Sequence, residues 1–332
     1  MDPGADAEGM SAPATTARSF PGARVERLPI AAELLSRTVL GLALLAGLAV
    51  PEVLSDLGPL LLVTAGLLGL PHGAVDHLAW GWSRGELGRP RVVVVGVYAT
   101  AALGAVGVAL LVPVPALLVL LALSAAHFAE GEVAWSRLRG TPVGWLPGAA
   151  AGLSVVTLPV LMRPDAVRPL LRSLDPALPE VLLSPAVRLP LLVLTGLLVL
   201  AGVVVARSQA ARLGELLLVV AVAATLPPLA AFAAWFAGWH AVRHTARLLL
   251  LDPRNTADLG RGDLRTPLSR FARSAALPSA AAVVGTLALG LATGVQGGLL
   301  VALLALTVPH TAVVAHLGTL SRARGTPAGP NG

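Results

Sequence analysis

Long apolar segments recur along the chain from about residue 38 to residue 320, separated by short polar stretches. Each segment approaches the roughly 20 residues that a helix needs to cross the hydrocarbon core of a bilayer. Strands of a membrane barrel would alternate apolar and polar residues, and these segments do not. The pattern predicts an all-α, polytopic transmembrane helical bundle of about ten spans (eight to ten), at 33–50, 57–76, 91–112, 115–135, 143–162, 187–206, 213–226, 228–250, 276–294 and 297–320.

The charged residues indicate which ends of these spans face the cytosol. Only 13% of residues are charged against 55% hydrophobic, and every basic residue behind the net charge of +6 is an arginine. The arginines concentrate in alternate loops, apart from the longer loop 163–188, which predicts a cell (inner) membrane protein with both termini cytosolic. Basic residues placed in this way do not indicate nucleic-acid binding. The absence of cysteine excludes disulfides and Cys-ligated metal sites.

The two ends of the chain differ in composition from the apolar region. Residues 1–28 are rich in Ala, Pro, Gly and Ser and hold no apolar core of the kind that a signal peptide needs. We expect a disordered cytosolic tail there and a second one at 321–332. Residues 29–320 then form a single transmembrane domain. Within it, the proline-rich break "LPP" at 226–228 favours a turn between two spans over a kink in one.

The histidines are distributed unevenly along the predicted spans. There are seven, all on even-numbered spans: His72, His77, His127, His240, His244, His310 and His316. At 1.5 Å per residue from the outer end of each span, one histidine on each of four helices lies about 18–24 Å deep; these are His72, His127, His240 and His310. His244 shares a helical face with His240, and only depth favours His240. Ionisable groups are costly inside a bilayer, so this set predicts a shared metal or cofactor site.

Imidazole leaves several metals open, because it suits iron, copper, zinc and nickel alike. Four imidazoles on an octahedral ion leave two positions at which dioxygen could bind beside a substrate. Carboxylates that follow the histidines could accept the other ring N–H and fix each imidazole. Asp76 lies four residues after His72 and Glu130 three after His127. Glu132 is as well explained by a salt bridge with a loop arginine.

Four stretches together resemble a known family: "GLPHGAVDH" (69–77), "SAAHFAEGE" (124–132), "FAGWHAVRH" (236–244) and "VPHTAVVAH" (308–316). They are similar to the Brp/Blh family of integral membrane β-carotene 15,15′-dioxygenases, over about residues 57–318. The resemblance implies Fe(2+) held by histidines and O2-dependent central cleavage of β-carotene to retinal. By the motif match the metal ligands would be His72, His127, His240 and His310, with Asp76, Glu130 and His244 around them. A retinal-binding rhodopsin would be a possible downstream partner.

One motif departs from the family pattern, and the substrate path is less specific than the metal site. The family's second motif is His-Phe-Gly followed by an aspartate, whereas this chain has "HFAEGE" with Ala129 in place of the glycine. That change leaves room for a related carotenoid. The substrate would come from the lipid bilayer, and Phe128, Phe236 and Trp239 could line its tunnel or could belong to an interfacial aromatic belt.

Three other functions compete with this interpretation. A bis-histidine haem protein needs ring pairs facing each other across the bundle. A di-iron oxygenase of the desaturase type would use the "HxxxH" of His240 and His244, but such enzymes generally have more clustered histidines. A metal or proton transporter needs a polar pathway to both faces, and the outer halves of the even spans are almost wholly apolar.

Overall fold

The computed structural model describes residues 27–82, 92–136, 141–173 and 175–325. Within these ranges the secondary structure is helical, and no strand occurs. The α-helices are α1 (Arg27–Ala49), α2 (Pro51–Asp56), α3 (Gly58–Ala74), α4 (Asp76–Trp82), α5 (Val92–Leu111), α6 (Pro113–Trp135), α7 (Leu146–Met162), α8 (Pro164–Arg172), α9 (Leu178–Leu182), α10 (Pro185–Ala206), α11 (Ala210–Thr225), α12 (Pro228–Trp235), α13 (Val242–Leu251), α14 (Thr256–Arg261), α15 (Arg265–Thr293) and α16 (Val295–Gly325). A π-helical segment, Phe236–Ala241, joins α12 to α13.

Seven helices of the described part are long and apolar enough to cross a membrane: α1, α3 continued by α4, α5, α6, α10, α15 and residues 297–318 of α16. The pair α7 and α8, bent by 93° at residue 163, makes an eighth if it counts as one span. The predicted polytopic helical bundle is confirmed, with roughly eight spans at the lower end of the predicted range.

Two of the ten predicted spans correspond to helices in the interior of the bundle. The segment predicted at 213–226 is α11, which has 16 residues. The segment predicted at 228–250 comprises α12, the π-helical segment and α13, and it carries two histidines and two arginines that lower its apolarity. Glu215 near the start of α11 contacts Arg243 at the start of α13. The chain therefore doubles back at 226–227, where both residues are extended, and the predicted turn is correct.

The largest hydrophobic core lies where α7, α11 and α12 meet, and it includes Trp235 and Trp239. α7 packs closely on α6, so this core extends to the second histidine motif, residues 124–132 of α6. A Cβ added at Gly152 would lie 2.5 Å from the backbone nitrogen of Ala129, so only glycine permits this approach. By contrast, α5 and α15 bury few residues and lie at the periphery.

The predicted tails fall largely outside the described residues. The first described helix begins at Arg27, and α16 continues past residue 320 to Gly325. The predicted loop 163–188 is also partly helical, because it contains α8 and α9.

Candidate metal centre

Four histidines converge from α3, α6, the π-helical segment and α16. One ring nitrogen from each of His72, His127, His240 and His310 lies within 4.8 Å of the others, and all four side chains are buried. Neighbouring ring centroids are 4.8–5.1 Å apart. These are the residues whose depth had been counted from the sequence. Together they could hold one metal ion.

The hydrogen bonds of the rings leave nitrogens available at the centre. His310 Nδ1–H donates to Asp76 Oδ2 over 2.7 Å, and His72 Nδ1–H donates to the carbonyl oxygen of Gly69. Their Nε2 atoms are thereby left as the potential ligands, and His310 Nε2 is buried without a partner among the described residues. His127 Nε2 and His240 Nε2 face each other at 3.0 Å. Buried ring nitrogens that face one another, with the opposite nitrogens of His72 and His310 held by oxygens, suit a histidine-bound metal.

Two glycines on α3 allow its histidine to reach the centre. A Cβ at Gly73 would lie 3.3 Å from His310 Nδ1, and one at Gly69 would lie 2.1 Å from the ring of Phe236. The sequence "GLPHG" therefore places a large ring and an imidazole directly against the backbone of α3. The role of these glycines depends on α16 and on the π-helical segment, which are distant in sequence.

Gly69→Ala is expected to destabilise the protein by about 1–3 kcal/mol, because the added methyl overlaps Phe236 in a packed interior. Gly66→Ala is the matched control on the same helix, since no atom lies within 4 Å of the added carbon. Thermal unfolding of both variants in detergent measures the difference. Equal melting temperatures would contradict the packing described for Phe236.

The π-helical segment turns His240 towards the other three histidines and Trp239 away from them. The indole N–H of Trp239 donates to Glu132 Oε1 over 2.7 Å, and the Arg243 guanidinium lies 3.5 Å from the centre of its ring. Arg243 also contacts Glu215 at 2.6 Å. These residues belong to a buried charge network on α1, α6, α11 and α13, comprising Glu33, Arg37, Glu132, Arg212, Glu215 and Arg243.

An apolar cavity of about 570 Å³ opens beside the four histidines, and all four line it. Its volume is within the range of ligand pockets, about 300–1,000 Å³. Away from the histidines its walls are mainly aliphatic, and α8 and α9 contribute Val167, Leu171 and Leu182 at one end. Phe128 and Phe236, both expected in a substrate tunnel, line the cavity. Trp239 is not among the described lining residues, because it is fully buried on the opposite side of its helix.

Comparison with known proteins identifies the family of this chain. The model of the family described as β-carotene 15,15′-dioxygenase matches residues 63–318, which include all seven histidines. The chain belongs to the β-carotene 15,15′-dioxygenase family. It is 30% identical over 294 residues to the probable β-carotene 15,15′-dioxygenase Blh of Halobacterium salinarum, a match that covers 76% of this chain and 82% of the relative. No solved structure matches the chain.

Membership of the β-carotene 15,15′-dioxygenase family makes the chain an enzyme, and the carboxylates around its histidines differ in whether they reach the rings. Asp76 accepts a hydrogen bond from a ring of the four-histidine group, but that ring belongs to His310 on α16 rather than to its near neighbour His72. Glu130 is not brought to His127: Glu130 Oε1 and His127 Nδ1 are both buried and have no hydrogen-bond partner among the described residues. Glu132 pairs with Arg243, in agreement with its salt-bridge interpretation.

Of the three remaining histidines in this β-carotene 15,15′-dioxygenase family member, one lies in the central cluster and two lie outside it. The ring centroid of His244 is 5.2 Å from that of His72 and 5.4 Å from that of His310, and its Nε2 is buried without a partner among the described residues. It therefore forms a fifth imidazole of the cluster, stacked on His240 at 5.8 Å. His316 instead stacks on Trp80 at 3.8 Å, and His77 lines the cavity.

Asp76→Asn is expected to lower metal affinity by about 10–100-fold, the usual effect of losing a carboxylate that orients a ligating histidine. The neutral amide cannot match the carboxylate as an acceptor from His310 Nδ1–H. Metal titration of the purified apoprotein gives the affinity. The effect of Glu130→Gln is expected to be smaller, because that carboxylate contacts no ring of the cluster. The opposite ranking of the two variants would contradict this assignment.

Proposed function

We propose that this protein cleaves β-carotene, or a related carotenoid, at its central double bond with O2 to form retinal, using one Fe(2+) held by His72, His127, His240 and His310. The observation that carries the proposal is the position of four buried histidines on the wall of an apolar cavity within a membrane bundle. Family membership supports the substrate and the reaction. The alignment with the Halobacterium relative agrees with it.

The donor set fits a non-haem iron ion. Neutral imidazole is a suitable ligand for iron, and four nitrogens gathered within 4.8 Å favour one ion over two. When bound, the ion supplies the redox chemistry by which dioxygen converts one carbon–carbon double bond into two aldehydes. We assign Asp76 and the Gly69 carbonyl to orienting two of the ligand rings, and His244 to the imidazole cluster beside the ion.

The chain's own residues position the substrate and keep water away from the reacting bond. Phe128 and Phe236 are ring walls of the cavity, and they flank the imidazoles of His240 and His72 at centroid distances of 4.9 and 5.6 Å. A polyene lying against these faces would have its central bond beside the metal. The aliphatic walls exclude water from the reacting bond, which protects a reactive centre from side reactions. We place the bundle in the cell membrane with both termini cytosolic, where it would take its substrate from the bilayer.

Expression in a bacterium that accumulates β-carotene tests this function directly. We expect β-carotene to disappear and retinal to form, as measured by chromatography of the extracted pigments. Unchanged pigment from membrane-inserted, iron-loaded protein would overturn the assignment of β-carotene. A Soret band in the purified protein would favour haem, and two irons per chain would favour the di-iron alternative. Only if retinal is formed does transfer of this product to a retinal-binding rhodopsin become a question.

A further inference from the structure

The cavity beside the histidines includes a few residues that are also exposed on the outside of the bundle. Of its described lining residues, only Val95, Ala99 and Leu277 are exposed. The first two are one turn apart on α5, and the third lies on α15. Val95 is 44% exposed and Leu277 79% exposed, although both contribute to the cavity wall. A side chain that faces both the cavity and the exterior marks an opening, and here all such residues belong to two peripheral helices.

We propose that the cleft bordered by α5 and α15 is a lateral portal through which the carotenoid passes between the bilayer and the metal centre. This inference rests on the proposed function. The occupant is a polyene because the opening is apolar, faces the lipid side and is continuous with the cavity that contains the four histidines. A water-soluble substrate would need a polar mouth, and no charged residue lies on the described cavity walls of these two helices.

The portal lies at the level of the metal centre rather than at the far end of the cavity. Tyr98, between the two exposed residues of α5, has its hydroxyl 3.4 Å from the carbonyl oxygen of Leu306, about one turn before His310 on α16. The cavity extends along α16 to Leu300, about 9 Å from Leu306 and about 15 Å from His310 at 1.5 Å per residue. One half of a polyene could therefore occupy the arm of the cavity lined by α8 and α9 while its centre lies beside the histidines.

The two helices that border the portal are suited to moving apart. Few side chains of α5 or α15 are fully buried, and each helix packs on α16, so a small shift of either along α16 would widen the space between them. Pro278 interrupts α15 next to Leu277, where it removes one backbone hydrogen bond of the helix. Ser279, on the following position, lines the cavity with a buried hydroxyl that has no hydrogen-bond partner among the described residues.

Tryptophan substitutions test the portal. Ala99→Trp and Leu277→Trp place a large ring at the opening. Val97→Trp and Leu287→Trp add the same ring on the same two helices, at positions that are 65% and 63% exposed and outside the cavity lining. We expect the portal variants to lower kcat/KM for membrane-embedded β-carotene by about tenfold, with iron content unchanged and control variants near the wild-type value. Equal activity in portal and control variants would overturn the proposal.

Chemical modification of a cysteine in the folded protein separates a blocked portal from a misfolded variant. The natural chain has no cysteine, so Ala99→Cys and the control Val97→Cys each carry a single thiol. Modification of Ala99→Cys with a bulky apolar methanethiosulfonate is expected to block both cleavage and anaerobic retention of β-carotene, and a reducing agent should restore them. Retained uptake after complete modification would contradict the portal. If the unmodified wild type cleaves no carotenoid, it is the proposed function that fails, and binding of β-carotene alone then decides whether the portal exists.

Discussion

His72→Ala is expected to abolish both metal binding and carotenoid cleavage. The ring of His72 contacts three other imidazoles of the cluster, with centroids 5.1 Å from His240, 5.2 Å from His244 and 5.0 Å from His310. Its Nδ1–H is held by the Gly69 carbonyl, which directs Nε2 to the centre. Loss of a ligand should exceed the effect of losing an orienting carboxylate, so we expect the affinity for iron to fall by more than about 100-fold. Metal analysis of the purified protein and pigment analysis of the expressing strain measure the two losses separately.

His316→Ala is the matched control for this experiment. His316 lies on α16 like His310, but it stacks on Trp80 outside the four-histidine group. We expect it to retain iron and to form retinal. Full iron content and activity in His72→Ala would show that the metal centre lies elsewhere. Loss of iron in both variants, with intact membrane insertion, would show instead that metal binding depends on general features of the bundle.

The four-histidine centre could be predicted from the sequence because helix geometry is regular. A fixed rise per residue, counted from the same side of the membrane, gave His72, His127, His240 and His310 a common depth. The structure gathers the same four side chains. The count compares depths meaningfully only between helices that run in the same direction, as the even-numbered spans were predicted to do.

The partners of the ligands could not be predicted in this way. Asp76 was expected near a ligand because it shares a helical face with His72, yet its carboxylate holds His310, 234 residues away. Glu130 has suitable spacing from His127 but points elsewhere. Sequence spacing fixes which residues share a face of one helix, whereas hydrogen bonding to the clustered histidines depends on how different helices pack. Trp239, which could also have lined the tunnel, lies outside the cavity lining for a local reason. The π-helical segment changes the phase of the residues that follow Phe236.

The buried charge network was the largest feature that the sequence did not indicate. Arg37, Arg212 and Arg243 were among the arginines counted as topology signals, and all three pair with the buried Glu215. Charge counting cannot separate an arginine at a helix end from one that is turned inwards. A usable signal was present, because Arg243 lies between two histidines of the same predicted span, where an unpaired charge would be costly.

Arg243→Ala is expected to destabilise the fold by about 3–5 kcal/mol, the cost of removing one member of a buried ion pair. Arg243 is only 4% exposed, and its guanidinium contacts Glu215 at 2.6 Å, Glu132 at 3.4 Å and the Ser36 hydroxyl at 3.0 Å. Removing Arg243 leaves Glu215 with two arginine partners in place of three. It leaves Glu132 without the cation that it pairs with. Thermal unfolding in detergent, compared with the wild type, measures the loss.

Arg168→Ala is the surface counterpart of this variant. Its partner Glu180 is 70% exposed, so breaking the pair should change stability by only about 0–1 kcal/mol. Arg243→Lys should recover part of the stability lost in Arg243→Ala, because an ammonium keeps the charge but cannot contact both glutamates and stack on Trp239 in one geometry. If Arg243→Ala proved as stable as Arg168→Ala, the network would not support the bundle. If it unfolded early and the iron content of the folded fraction also fell, while Arg243→Lys restored that content, the network would be shown to hold Trp239, and with it His240, in position for the metal.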